Sequence, residues 1–194
     1  MYRFGYYVVA GIFWLLGGKI KKENKEKIPA APFVVVCTHQ TWLDIIYLAI
    51  AIWPVQIHYM AKQELFSKKW SKWLFTKLHA FPVNRENPGP SSIKIPMKLL
   101  KEGKVVGIFP SGTRKSEHVS LKRGAVTIAL KANVPLVPAI YEGPKTFKEV
   151  LARKPKRVRF GDPIRLADEK KGTKEEIEKT IVLLQDTFEA LKKQ

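Results

Sequence analysis

Short apolar runs recur along this chain: PFVVVC at 32–37, VQIHYMAK at 55–62, VVGIFP at 105–110 and PLVPAIY at 135–141. Their β-branched content, and the polar or turn-forming residues that bound them, predict strands, most of them buried on both faces. AFPVNR at 80–85 and RVRFG at 157–161 read as shorter strands. Longer segments lie between them. LDIIYLAIAIW at 43–53 has the length of a buried helix, and IPMKLLKEG at 95–103 predicts a helix that Gly103 can terminate. KRGAVTIALKAN at 122–133 predicts another. In ELFSKKWSKWLFTKL, at 64–78, Phe66, Trp70, Trp73, Leu74 and Leu78 fall on one helical stripe, with Lys68, Lys69, Lys72 and Lys77 mostly off it. That stripe suits either a core face or a membrane interface. A last helix is marked by the T-x-x-E pattern of Thr173 and Glu176, followed by Ile177, Ile181, Leu184, Phe188 and Leu191 at helical spacing.

Strands alternating with helices predict an α/β fold: a single domain whose mostly parallel mixed sheet is covered by helices on both faces. In such a fold a site belongs at the carboxyl ends of the strands. No internal repeat or long linker divides the chain. The only separate segment is the N-terminus. MYRFGYYVVAGIFWLLGG carries one charge, Arg3, and is followed by Lys19, Lys21, Lys22, Lys25 and Lys27. It is short of the roughly 20 residues that span a bilayer and has no small-residue cleavage site after it. A first core helix would have a similar composition, but Tyr2, Tyr6, Tyr7 and Trp14 favour an interface. The expected organisation is therefore a membrane-anchoring helix with its basic flank at 1–27 and a catalytic domain at 28–194.

Composition adds a partner class. With 35 Lys and Arg against 17 Asp and Glu, the formal net charge is +18, which calls for a polyanion, nucleic acid or anionic membrane. The apolar aromatic N-terminus points to an anionic membrane surface and not to nucleic acid. The single cysteine, Cys37, excludes an intrachain disulfide and a cysteine-rich metal site, in keeping with a reducing compartment. Placed in a buried strand, it reads as inert.

Candidate chemistry begins where the first strand ends, at THQTWLD. His39 and Asp44 are five positions apart, about 140° around an ideal helix, so they cannot share a helical face. With His39 in the turn and Asp44 early in the next helix, the carboxylate can hold one ring nitrogen and leave the other as a base. The same spacing is satisfied by a turn histidine beside an ordinary N-terminal helix acid. A second polar turn, IFPSGTRK at 108–115, also follows a buried strand and offers backbone N–H groups and the Arg114 fork to a phosphate. The phosphate loop of ATP and GTP enzymes is absent. Ser111 lacks the G-x-S-x-G elbow of serine hydrolases, and His58, His79 and His118 have no aspartate at useful spacing.

The order THQTWLD, MAKQELF leading to FPVNR, FPSGTR and VPLVPAIYEG resembles the glycerolipid acyltransferases. It is most similar to the bacterial 1-acyl-sn-glycerol-3-phosphate (lysophosphatidic acid) acyltransferase family. The likeness runs from Phe33 to Ile164 and includes the K-R-G-A stretch at Lys122–Ala125. It implies that His39 and Asp44 are the catalytic pair. It further implies that Lys62, with Glu64 and Leu65, and Arg85 serve the acceptor, Arg85 at its phosphate. Gly112, Thr113 and Arg114 match the family's third motif, while Ser111 replaces its usual glutamate, which leaves acceptor identity open. Val134, Pro135 and Pro138 map to the acyl-binding side.

The implied reaction moves an acyl group from an acyl-carrier protein or coenzyme A thioester to the sn-2 hydroxyl of 1-acylglycerol 3-phosphate, giving phosphatidic acid. It needs no metal or redox cofactor, and the implied location is the cytoplasmic face of the cell membrane, monotopic or peripheral. Acylation of glycerol 3-phosphate or another lysolipid, and a non-catalytic basic binding protein, are the alternatives.

Overall fold

Four consecutive side chains with no exposed surface, Val34 to Cys37, put the first predicted strand at the centre of a sheet. The computed structural model describes residues 2–84, 89–110, 115–165 and 173–194. Its strands are β1 (Lys21–Glu23), β2 (Val34–Cys37), β3 (Ile57–Lys62), β4 (Ala80–Val83), β5 (Val105–Ile108), β6 (Leu136–Glu142) and β7 (Arg157–Phe160). The helices are α1 (Tyr2–Gly17), α2 (Trp42–Ile52), α3 (Lys69–Lys77), α4 (Ser91–Lys101), α5 (Lys115–Ala132), α6 (Phe147–Leu151) and α7 (Lys174–Lys193). The strands join in the order β1-β7-β6-β2-β5-β3-β4. Every neighbouring pair is parallel except β6 with β7, so the sheet is mixed and mostly parallel, as predicted.

Handedness sorts the helices. The connections β2–α2–β3 and β3–α3–β4 step across the sheet in one direction, while β4–α4–β5 and β5–α5–β6 step back. Right-handed crossovers therefore put α2 and α3 on one face and α4 and α5 on the other. The core divides accordingly. Val35 and Cys37 pack with Phe13, Leu43, Tyr47, Leu48 and Val150 on the α2 face. Val34 and Val36 point the other way, toward Leu100, Ile128, Leu184 and Phe188, as the two-residue period of a strand requires.

The N-terminal segment is not set apart from this body. Tyr6 of α1 stacks on Trp53 with ring centroids 3.9 Å apart, and Phe13 meets Tyr47 edge-on at 5.5 Å. The carbonyl oxygens at the end of α1 are held by basic side chains: Leu15 accepts from Arg153 at 3.1 Å, and Gly17 accepts from the buried Lys156 ammonium. A Cβ at Gly17 would sit 2.9 Å from Val150 Cγ1 and 3.3 Å from Tyr47 Oη, so only glycine allows this approach. The lysine-rich stretch after α1, expected as a basic flank, supplies β1, whose Glu23 accepts from Arg159 at 2.6 Å. At 16 residues α1 is about 24 Å long. Among the described residues no helix is long and apolar enough to cross a membrane.

Several boundaries differ from the pattern. The segment at 64–78 splits into a 3-10 turn at Gln63–Phe66 and α3, because Lys68 is extended at φ −95° and ψ 143°. Its aromatic stripe lies in solvent: Trp70 is 65% exposed and Trp73 62%. Helix α4 starts four residues before the predicted Ile95 and carries Pro96 inside it. Helix α7 follows its periodicity, with Ile181, Leu184, Phe188 and Leu191 buried and the Thr173 hydroxyl accepting from the Glu176 amide at 3.2 Å.

Candidate active site

The chain leaves β2 at Cys37 and enters α2 at Trp42, so Thr38 to Thr41 must turn at the carboxyl end of the central strand. Thr41 is the N-cap. Its hydroxyl accepts from the Leu43 amide at 3.3 Å, and Asp44, three residues on, reaches back in a capping box. One oxygen of Asp44 accepts from the Thr41 hydroxyl at 3.0 Å. The other accepts from the amide of Thr41 at 3.0 Å, from the amide of Gln40, and from His39 Nδ1 at 3.2 Å. The helix cap and the histidine's partner are thus the same carboxylate, and the two readings of its spacing coincide.

Asp44 is only 2% exposed. Burial alone would raise its carboxyl, but the hydrogen bond from His39 and those from Thr41 and Gln40 outweigh it and hold the group below its ordinary value. An ionised Asp44 requires the proton on Nδ1, which leaves the lone pair on Nε2 of His39. The imidazole also packs against Phe109 at the end of β5, with centroids 5.1 Å apart. Cys37 stays a thiol, since burial first and the Asp44 charge second push its ionisation far up.

His39 borders two different surroundings. On one side is a cleft of about 340 Å³ lined by Thr38, His39, Gln40, Pro110, Lys122 and, from α7, Gln185, Phe188, Glu189 and Lys192. Burial first and the neighbouring Lys192 charge second lower the Lys122 ammonium from its ordinary value, and Lys192 pairs with Glu189 at 2.7 Å, so the cleft holds two lysines and one carboxylate. On the other side Trp42 is 53% exposed and meets Phe13 of α1 edge-on at 6.4 Å. The turn therefore stands between a basic polar cleft and the apolar surface of α1.

The remaining sequence candidates are distributed unevenly. Lys62 closes β3, two strands from β2 across β5, and its ammonium lies 3.3 Å from Glu64. It shares the sheet edge with His39 but does not line the cleft. Arg85, Ser111, Gly112, Thr113 and Arg114 lie outside the described residues, as does the side chain of His118. Pro110, the second residue of the FPSGTR motif, lines the cleft. Val134 and Pro135 precede β6, where Leu136 is level with Val34, so they sit at the opposite end of the sheet from His39. Pro138 is mid-strand, opposite Val36. All three belong to the packing of β6. His58 and His79 stack on each other at 4.7 Å, away from the cleft.

Lys122, Gln185 and Lys192 are cleft residues that sequence reasoning did not assign to a site. Gln185, Glu189 and Lys192 recur at i, i+4 and i+7 along α7, a polar stripe beside its apolar one, and that stripe is the signal that could have found them. Among the described residues no group of three or more His, Cys, Asp or Glu side chains is placed to hold a metal ion.

Comparison with known proteins adds an independent line. Residues 19–142 match the family model described as Acyltransferase. A 1-acyl-sn-glycerol-3-phosphate acyltransferase of Bacillus subtilis (strain 168) is 56% identical over 169 residues, covering 87% of this chain and 84% of that protein. A Streptococcus pneumoniae protein of the same name is 38% identical over 187 residues, 95% of this chain and 70% of its own. Among solved structures, the 1-acyl-sn-glycerophosphate (LPA) acyltransferase PlsC from Thermotoga maritima superposes with a TM-score of 0.69 at 22% identity. The match covers 100% of this chain and 82% of that one, and at this identity it speaks for the fold.

Proposed function

This chain belongs to the acyltransferase family, among the 1-acyl-sn-glycerol-3-phosphate acyltransferases, and on that footing we propose that His39 and Asp44 carry out its transfer step. The enzyme moves a fatty acyl group from a thioester to the free hydroxyl of 1-acylglycerol 3-phosphate, forming phosphatidic acid. Nε2 of His39 takes the hydroxyl proton as the oxygen attacks the thioester carbonyl. The tetrahedral intermediate then expels the thiolate, which receives that proton back from the imidazolium. Asp44 keeps the ring in the Nδ1–H tautomer and steadies its positive charge without taking the proton. The observation that carries this reading is the Asp44 carboxylate, held by three donors of Gln40 and Thr41 so that it presents a fixed acceptor to His39.

Phosphate anchoring falls to cations. Lys122 lines the cleft beside His39 and suits a charge-assisted hydrogen bond to the acceptor's phosphate, which Lys192, paired with Glu189 at 2.7 Å, could join. Lys62, Arg85, Ser111, Gly112, Thr113 and Arg114 remain acceptor-side residues through the motifs they match. Either thioester, of acyl-carrier protein or coenzyme A, supplies the same carbonyl, and the step needs no metal or redox group. The exposed Tyr7, Trp14 and Leu15 of α1, followed by lysines, support a monotopic enzyme on an anionic leaflet at the cytoplasmic face of the cell membrane.

The test is a panel of acceptors, namely lysophosphatidic acid, glycerol 3-phosphate and other lysolipids, offered to purified protein with an acyl-CoA or acyl-carrier-protein donor. Phosphatidic acid should form from lysophosphatidic acid at the highest kcat/KM. Faster acylation of another acceptor would move the specificity. For Lys122→Ala the expected result is a rise in acceptor KM with donor KM unchanged.

A further inference from the structure

Helix α3 is exposed on nearly every side. Of its nine residues only Ser71 is buried, and Phe75 is half-buried against Phe66, with ring centroids 5.7 Å apart. Trp70, Trp73 and Leu74, spaced i, i+3 and i+4, form a stripe whose centre is turned roughly 130° around the helix from the midpoint of Ser71 and Phe75; all three are exposed, as are Leu65 before the helix and Leu78 after it. A helix this short is marginal on its own propensity and depends on packing that the described residues do not provide for its apolar stripe.

The charges point to what would cover it. Lys68 to Lys77 contains four lysines and no acidic residue. Two of them, Lys68 and Lys69, stand at the helix N-terminus, where the macrodipole disfavours cations. An anionic surface offsets both the mutual repulsion and the unfavourable dipole. Indole rings, apolar with one N–H donor, suit the boundary between headgroups and acyl chains.

The position of α3 favours a bilayer over a compact protein partner. Right-handed connections place it on the same face of the sheet as α2, which α1 covers. Helices α1 and α3, which expose Tyr7 and Trp14 and Trp70 and Trp73 respectively, thus cover the same face of the sheet as α2, whose exposed Trp42 is three residues from His39. We propose that α3 is a second lipid-contact surface, seating Trp70, Trp73 and Leu74 at an anionic headgroup layer while Lys69, Lys72 and Lys77 contact its phosphates. It acts with α1 to turn the mouth of the active site toward the leaflet.

The experiment is flotation of the full-length protein with vesicles of phosphatidylglycerol and phosphatidylcholine, and with phosphatidylcholine alone, at low and high salt. Trp70→Ala/Trp73→Ala and Lys69→Glu/Lys72→Glu are compared, with thermal unfolding as the control. Each variant should bind anionic vesicles about tenfold more weakly or worse, a loss of about 1.4 kcal/mol or more, at an unchanged Tm. High salt should bring the wild type toward the lysine variant. In a second arm, transfer to vesicle-borne long-chain lysophosphatidic acid should fall with binding, and transfer to a water-soluble short-chain acceptor should hold. Undiminished flotation of both variants overturns the proposal. So does normal flotation with a loss confined to acyl-carrier-protein donors, which would assign α3 to that acidic partner. Only the second arm rests on the acyl-transfer reading, so flotation decides the proposal even if no acceptor is acylated.

Discussion

Helices α2 and α3 are consecutive crossovers on the same face of one sheet, each following a parallel strand, yet α2 buries seven of its 11 residues and α3 one of its nine. The start of α2 is determined from inside the molecule: its first acidic side chain is at once helix cap, partner to two backbone amides and partner to His39. The exposed face of α3 has no such internal determinants. Among the described residues none covers Trp70, Trp73 or Leu74, and its lysines are gathered without carboxylates on the helix to neutralise them. Residues that the fold needs are satisfied by the fold, whereas the exposed apolar and basic groups of α3 are the ones that the proposed lipid contact would satisfy.

The contrast breaks first at His39. His39→Ala should lower turnover by about 10²–10⁴-fold or more with the fold retained, since general-base help is worth that much. A folded variant with near-normal turnover would remove the chemical role of the α2 entrance. Asp44→Asn should come close to it in turnover, because the amide cannot enforce the Nδ1–H tautomer. It should also cost about 1 kcal/mol in urea unfolding through the weakened cap, a structural loss that His39→Ala does not share.

Stability sharpens the comparison at smaller scale. Leu48→Ala, in the fully buried part of α2, should cost about 2–5 kcal/mol, while Trp73→Ala in α3 should stay within about 0.5 kcal/mol. Comparable losses by chemical denaturation would mean that α3 is packed after all.

The smallest effect is a response to acid where α3 rejoins the sheet. His79 follows α3 with φ at 60° and stacks on His58 of β3. Burial first, and the nearby His79 second, lower His58 from its ordinary 6.5 to about 4. The unfolded chain then binds this proton first, so the stability due to a neutral His58 is present above about 6.5 and is lost as pH falls toward about 4. Tm should decline over that window, with β4 amides losing exchange protection before those of β2. His58→Leu should flatten the decline.

The central sheet was legible because burial writes itself in composition. Val34 to Cys37 and Val105 to Ile108 have no polar face, and α7 repeats its apolar residues at helical spacing. Strand β1 is lysine, lysine and glutamate, an edge strand whose pairing with β7 leaves no apolar trace. Helix α6 is only five residues long, although Thr146 and Glu149 share the T-x-x-E pattern that marked α7 and complete the capping box. The aromatic stripe of α3 was visible, but periodicity reports which residues share a face and not what that face meets. At the site, His39 and Asp44 were legible because five residues and one turn bring them together. Lys122 and Lys192 were not, because α5 and α7 carry them to the cleft from far along the chain.

The grip of Arg153 and Lys156 on the end of α1 distinguishes this helix from a flexible tether. A tether raises the local concentration of whatever it carries, by an amount set by its length, and leaves the cargo free to tumble. A clamped helix fixes the pose instead. The direction of α1 relative to the domain is then settled during folding, so anything that contacts α1 meets the domain in one pose. Lengthening the connection after Gly17 would release that pose and leave the helix to move independently of the sheet.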